Sequence, residues 1–385
     1  MGVNLKRLRL AFRSPGHFAW ATRRVLRRSA LGAIERHLPG GRALMPDTIV
    51  VNITSRCNLR CAMCMQPRED GGPGDSPTLT RGHAELTPEQ WMRVIDQAAR
   101  AHPAFYFSGG EPLLYKGMMD ILAHVKRRGL IAALVTNATA LDHFAKDLVR
   151  LGVDNVTVSL DGPETIHDAL RGVSGTFQRA LTGIRALQEA KRQAGVTYPA
   201  IKINCVITPR NFESLPETYQ VVRALGIDEL NLQHPMFDTA ENVALHNRVY
   251  HERLGEGDDV SKNPGEFYEE RFDETQFRKL EKLLDGLLNM SGKPRVSCFP
   301  TLHRRDWWAY YLDMKHPFPQ RCLLPWTVMR LLADGTFEPC MHYVAGNVAE
   351  TPLRELWNGT RMRRFRQELN KGLYPACTRC CYRCF

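Results

Sequence analysis

From Thr48 onward, short apolar runs alternate with stretches of helical periodicity. The runs are Ile49-Val50-Val51-Asn52-Ile53, Phe105-Tyr106-Phe107 and Ile131-Ala132-Ala133-Leu134-Val135. Val156-Thr157-Val158-Ser159-Leu160, Ile201-Lys202-Ile203-Asn204-Cys205-Val206-Ile207 and Leu230-Asn231-Leu232 follow. Strand-length runs separated by helical segments predict a parallel α/β fold, here with six strands. No internal repeat is visible. No apolar run approaches the ~18 residues of a membrane span, and no secretory apolar core is present.

Two polar stretches interrupt the alternation. Gln66 to Leu86 is rich in Gly, Pro, Ser and Thr and reads as a lid or as a spacer. Asp238 to Asp273 is a polar insertion with many acids, a candidate substrate-facing excursion that identifies no ligand.

Length and composition change the picture little: 385 residues with 43% hydrophobic and 24% charged content describe a globular chain of one large and one smaller domain. The expected division is an amino-terminal segment 1–46, a main domain 47–290 and a carboxyl-terminal domain 291–385. Charge changes it more. Of the formal net +11, most sits in residues 1–46, where ten basic residues face the single acid Glu35. Leu5, Leu8, Leu10, Phe12, Phe18, Trp20, Val25, Leu26 and Leu31 interleave with them. This pattern reads as basic amphipathic helix able to touch an anionic membrane surface, or as a solvated helix packed outside the main domain. Nucleic acid is not expected, since no recognised module accompanies the charge.

Eleven cysteines without a signal peptide point to metal and a reducing, cytoplasmic setting rather than to disulfides. Cys57, Cys61 and Cys64 offer three soft thiolates to one centre. A cubane [4Fe–4S] cluster needs four ligands, so three leave one iron open. The alternative is a zinc knuckle, but zinc is usually held by four protein ligands in CxxC pairs, and no further Cys or His occurs until His83. A second motif, Ser108-Gly109-Gly110-Glu111-Pro112, follows the Phe105 run. Its glycines let the backbone approach a ligand closely, and its carboxylate can pair with a cationic amine.

CxxxCxxC followed by GGEP resembles the signature of the radical S-adenosylmethionine (SAM) enzymes. The resemblance implies a partial (β/α)6 barrel with ligands at the carboxyl ends of the strands. It implies a [4Fe–4S] cluster on Cys57, Cys61 and Cys64, with SAM chelating the open iron. Glu111, with the Gly109 and Gly110 backbone, would then take the SAM amino group. Thr136 and Asn137 would line the pocket, and Ser159 and Asp161 would meet the ribose and carboxylate ends. Arg171, in His-Asp-Ala-Leu-Arg-Gly, is a candidate carboxylate partner through its guanidinium fork; it also reads as a surface helix-end arginine. Asn204 alternates with Ile203 and Cys205, which places it on the lumen face if the apolar residues face the helices. The family pattern commonly has an aromatic residue before the third cysteine. Here Met63 stands there and can fill the same apolar slot.

The end of the chain resembles the SPASM or twitch extension of these enzymes. Cys322 is followed after twelve residues by Gly335 and after four more by Cys340, and Cys377, Cys380, Cys381 and Cys384 close the sequence. The resemblance implies one auxiliary [4Fe–4S] cluster on Cys322, Cys340, Cys377 and Cys380, with Cys384 the rival for the last place. A structural zinc site on the same thiols is the alternative. Cys205 and Cys298 are unassigned and read as buried inert thiols or as hydrogen-atom donors to a substrate radical.

Three enzyme readings follow. An all-protein-ligated auxiliary cluster points to net two-electron oxidation of a small-molecule or lipid-linked substrate, with a flavodoxin- or ferredoxin-type reductant. Epimerisation would need a thiol hydrogen donor. Peptide maturation usually brings a winged-helix leader-binding domain, for which this amino terminus is too short and too basic. A non-catalytic iron–sulfur electron carrier is the remaining class, but it needs neither Glu111 nor the Ser159/Asp161 motif.

Overall fold

Among the described residues, ten strands form one sheet. The computed structural model describes residues 20, 22, 24–26, 32–64, 80, 83–237, 239–255, 270–314, 316, 322–340 and 343–380. Its elements begin with β1 (Thr48–Thr54), α1 (Pro88–Ala99), β2 (Ala104–Gly109), α2 (Met118–Arg127) and β3 (Ile131–Thr136). They continue with α3 (Leu141–Arg150), β4 (Asn155–Ser159), α4 (Glu164–Arg171), α5 (Thr176–Gln193), β5 (Ala200–Val206), α6 (Leu215–Ala224) and β6 (Glu229–Gln233). All six expected strands lie on the apolar runs, each parallel to the next.

The alternation explains how the helices attach. Strands β3 to β6 alternate buried and half-buried positions. Val156, Val158, Ile201, Ile203, Leu230 and Leu232 face the helical layer and are buried. The helices answer with stripes at helical spacing, such as Trp91, Val94, Ile95 and Ala98 on α1. α1 starts where Thr87 and Gln90 close a reciprocal capping box, with Pro88 in the first turn. Such a cap stabilises a helix by roughly 1 kcal/mol.

The sheet extends beyond the six expected strands. After α7 (Ala240–Leu254) and α8 (Glu274–Leu288), β7 (Arg295–Phe299) adds parallel to β6, and α9 (Arg304–Leu312) follows. At the opposite edge β8 (Val328–Leu331) adds parallel to β1 and carries the short antiparallel β9 (Thr336–Phe337) and β10 (Gly346–Asn347). The chain then forms α10 (Thr360–Lys371). The polar stretch from Asp238 thus contains a complete helix, α7; most of the 66–86 loop, 256–269 and Cys384 lie outside the described residues.

Of the amino-terminal segment, residues 40–44 are pinned to the carboxyl-terminal region. Arg363 Nε donates to Gly40 O, Ala43 N to Asn358 Oδ1, and Trp357 Nε1 to Leu44 O. Upstream, Trp20 Nε1 donates to Asp47 O across 2.9 Å. No described helix is long and apolar enough to cross a membrane.

Candidate active site

A cavity of about 330 Å³ opens at the carboxyl ends of β1 to β5. Cys57, Cys61, Met63 and Cys64, all on the loop after β1, form one wall. That loop is tied to the end of α4, where Arg60 N donates to Arg171 O and Ala62 N to Leu170 O. Gly172, the next residue, has φ +69°, and a Cβ there would lie 2.4 Å from Arg60 O. Only glycine allows this close approach. Glu85 holds the other end of the loop by accepting from Thr54 Oγ1, Ser55 N and Ser55 Oγ. Leu59, 3% exposed, plugs the loop into the core.

The GGEP glycines serve the loop as well as the cavity they line. Gly110 N donates to Thr54 O and Glu111 N to Arg56 O. Cβ atoms on Gly109 and Gly110 would stand 2.6 Å from Thr54 O and 2.0 Å from Arg56 O. The close backbone approach expected toward a ligand is therefore made to the cysteine loop.

Glu111 is 1% exposed, yet its carboxylate lines the cavity. Oε1 accepts from Thr136 Oγ1 at 2.7 Å and from Leu113 N at 3.1 Å, and Oε2 accepts from Asn137 N at 2.7 Å. Burial pushes its pKa above the ordinary carboxylate value, and these hydrogen bonds only partly offset that. The side chain thus fastens the end of β3 to the end of β2. It presents Thr136 and Asn137, both of which line the cavity. Asn137 Nδ2 reaches Asn58 Oδ1 at 2.9 Å and points toward Cys57 Sγ at 4.0 Å.

Ser159 and Arg171 complete the opposite wall with Val206. Asp161 does not reach the cavity. It is fully buried behind Arg171, ion-paired to the guanidinium through Oδ2, and accepts from Val206 N through Oδ1 at 2.9 Å. Arg171 also donates from Nη1 to Cys61 Sγ at 3.5 Å. Burial opposes its charge, but Asp161 and Cys61 more than offset this, so its pKa is raised. The fork expected to meet a ligand carboxylate is held by these two protein groups, and Asp161 lies behind it.

Asn204 also stands outside the cavity wall. It pairs in register between Ser159 and Asn231, on the face opposite Ile203 and Cys205. Its Nδ2 donates to Gln233 Oε1 at 2.8 Å, and Asn231 Nδ2 donates to its Oδ1 at 2.5 Å. Ser297 Oγ donates to Asn231 Oδ1 at 3.4 Å. A polar row therefore runs from Ser159 across β5, β6 and β7. Sequence reading found Asn204 but missed Asn231, Gln233 and Ser297. Their signal was the polar position alternating with Leu230, Leu232 and Cys298.

Cys205 and Cys298 sit on the other face. Cys205 is fully buried in the helix-facing core, and Cys298 pairs in register with the core residue Leu232. Burial raises both thiols, Cys298 to about 12.

Of the carboxyl-terminal cysteines, Cys377 lies on a turn packed against α7. Cys340 bridges to Tyr343, and the turn carrying Cys377 and Cys380 packs on α7 through Ala376 N, which donates to His246 Nδ1. The turn is anchored near the carboxyl end of β6. Tyr310 OH donates to Pro235 O and to Arg379 O, and Arg379 Nη2 donates to Ala309 O. Cys322 is half-buried against the core.

Residues 51–222 match the radical SAM superfamily, and residues 322–381 match the SPASM iron–sulfur cluster-binding domain. The chain thus carries a radical SAM domain followed by a SPASM domain. It is 26% identical over 356 residues to the tungsten-containing aldehyde ferredoxin oxidoreductase cofactor-modifying protein of Pyrococcus furiosus, covering 87% of each chain. It is 28% identical to the pre-heme d1 synthase of Dinoroseobacter shibae, covering 82% of this chain and 74% of that protein. Its fold matches Streptococcus suis SuiB bound to its precursor peptide SuiA with a TM-score of 0.60, at 16% identity, over 85% of this chain and 68% of SuiB.

This radical SAM enzyme therefore uses a [4Fe–4S] cluster and SAM in its barrel and iron–sulfur ligation in its SPASM domain. The residues of the cavity fit the first pair. Three thiols share one wall, a guanidinium N–H reaches one sulfur, and polar residues such as Thr136, Asn137 and Ser159 line the cavity together with Leu59, Val135 and Val206. Among the described residues, no three Cys, His, Asp or Glu side chains are gathered into a ready-made metal site. The fit rests on the shared wall and on the donor set.

Proposed function

We propose that this enzyme oxidises a small-molecule or lipid-linked substrate by two electrons, with a SPASM-domain cluster on Cys322, Cys340, Cys377 and Cys380 or Cys384 as electron acceptor. When bound, the barrel cluster and SAM supply a 5′-deoxyadenosyl radical after one-electron reduction by a flavodoxin- or ferredoxin-type partner. Cys57, Cys61 and Cys64 would hold the cluster, and the bound pair would supply the abstraction of one hydrogen atom from substrate carbon. Cys322, Cys340, Cys377 and Cys380 or Cys384 would hold the acceptor for the second electron, whose removal would accompany loss of a proton from the substrate.

The protein's share of this chemistry is positional. Glu111 holds the ends of β2 and β3 together, so that Thr136 and Asn137 face SAM. Arg171, fixed by Asp161, steadies Cys61. Ser159 and Met63 close the cavity around the adenosyl portion, and Asn204 supports the polar row beyond it.

The observation that carries the oxidation reading is the placement of the second cysteine group. The turn with Cys377 and Cys380 is anchored beside Pro235, just after β6, at the same end of the strands as Cys57, Cys61 and Cys64. A substrate lying over the polar row would have a cysteine group on each side. Epimerisation loses support because Cys205 and Cys298 both face the helices.

The full-length relatives named for cofactor modification and pre-heme d1 synthesis favour a non-peptide substrate. The likeness to peptide-bound SuiB keeps peptide maturation as the second reading. A reducing, cytoplasmic compartment suits this chemistry. Contact with anionic membrane is proposed only for the basic residues before Gly32, because residues 40–44 are bound to α10 and its neighbourhood.

The test is anaerobic incubation with deuterated candidate substrates, dithionite and SAM. Deuterium in 5′-deoxyadenosine and a product two hydrogens lighter support oxidation. An isomeric product that has taken up solvent hydrogen overturns it.

A further inference from the structure

The polar row over β5, β6 and β7 has a direction. Ser297 Oγ donates to Asn231 Oδ1, Asn231 Nδ2 to Asn204 Oδ1, and Asn204 Nδ2 to Gln233 Oε1. All three side-chain carbonyl oxygens are therefore engaged within the row. At its end stands Gln233 Nε2, which carries two N–H donors and meets no acceptor among the described residues.

Gln233 ends the row beside the cavity. It pairs in register with Val206, which lines the cavity, and on its other side with Phe299. Phe299 is 37% exposed, so an apolar ring stands next to the unused donors. One layer nearer the amino ends of the same strands, Glu229 is ion-paired with Lys202 at 3.3 Å and with Arg295 at 2.9 Å. Two cations against one acid leave that layer positive, which favours an anion over a neutral acceptor near it.

We propose that Gln233 is a substrate-binding residue that holds the carboxylate of an apolar acid, with Nε2 donating to a carboxylate oxygen and Phe299 resting against the apolar body. The inference rests on the oxidation reading above and names the class of its substrate. An ionised carboxylate only accepts hydrogen bonds, so it complements a row end that offers only N–H groups. Hydrogen bonds to an ionised acceptor are also stronger than those between neutral groups. Asn204 is the positioning residue here, because its bond to Oε1 turns the Gln233 amide so that nitrogen is left free. A substrate anchored at Gln233 lies next to Val206 and so next to the SAM cavity.

The test titrates the anaerobically reconstituted, SAM-loaded enzyme with phenylacetate, phenethyl alcohol and phenethylamine, read by calorimetry without reductant. Phenylacetate is expected to bind saturably and at least about tenfold more tightly than the other two. Gln233→Leu should weaken phenylacetate to the level of the alcohol. Gln233→Glu keeps the acceptor for Asn204 but makes the free end an anion, and should reverse the preference toward the amine. A general loss of fold cannot produce that reversal. Absence of saturable phenylacetate binding, an unreversed preference in Gln233→Glu, or a wild-type preference for the amine overturns the inference. These readouts involve no turnover, so the oxidation reading is left to the deuterium experiment. An isomeric product there overturns that reading and leaves the binding preference as measured.

Discussion

Arg171 Nη1 donates to Cys61 Sγ while the other arm of the guanidinium is ion-paired with fully buried Asp161. One side chain thus ties the cysteine loop to the floor beneath β4 and β5. Removing it strands a carboxylate in the interior, which costs far more than an exposed pair is worth. Arg171→Ala is expected to destabilise the protein by about 3–5 kcal/mol, read by denaturant unfolding. Arg171→Lys keeps the charge but loses the fork, and should fall between wild type and Ala. Equal stability of all three would contradict the assignment.

Gly172 tests the loop's second anchor. An alanine there would need a left-handed backbone at about 1–2 kcal/mol, and its Cβ would collide with Arg60 O. Gly172→Ala should therefore lower stability and also reduce iron uptake by the cysteine loop. Gly195 also has a positive φ, but no atom lies within 4 Å of its Cβ position. Gly195→Ala is the control: it should lower stability by the backbone cost alone and leave iron uptake intact.

Two buried histidines set an acid limit. Burial lowers His167 to about 4 and His234 to about 3, from an ordinary 6.5. Between those values the unfolded chain binds more protons than the folded one, so stability rises with pH. The contribution is present above pH 6.5 and is lost as pH falls toward 4 and 3. For His167 alone it amounts to about 3 kcal/mol at most. Unfolding free energies measured from pH 7 to 4 should fall in the wild type and fall less steeply in His167→Gln and His234→Gln.

The sequence made the scaffold legible where one rule decided. Apolar runs located β1 to β6, and the cysteine spacing and GGEP located the cavity. β7 was missed because Arg295-Val-Ser-Cys-Phe is short and carries the polar residues Arg295 and Ser297, which pair with Glu229 and Asn231 across the sheet. Glu85 was missed because its three hydrogen bonds go to residues about thirty positions away. Asp161 was found as a motif residue, but its burial behind Arg171 was not. Sequence marks a carboxylate, whereas only folding shows that Arg171 lies between it and the cavity. Thr136 and Asn137 were found together, but not that Glu111 holds them.

The central claim is that the thiols lining one cavity with Glu111 and Arg171 support SAM cleavage. Formation of 5′-deoxyadenosine by the anaerobically reconstituted protein, given SAM and dithionite, tests it most directly. The expected result is 5′-deoxyadenosine from wild type and none from Cys61→Ala at unchanged stability. Undiminished formation by that variant would contradict the account.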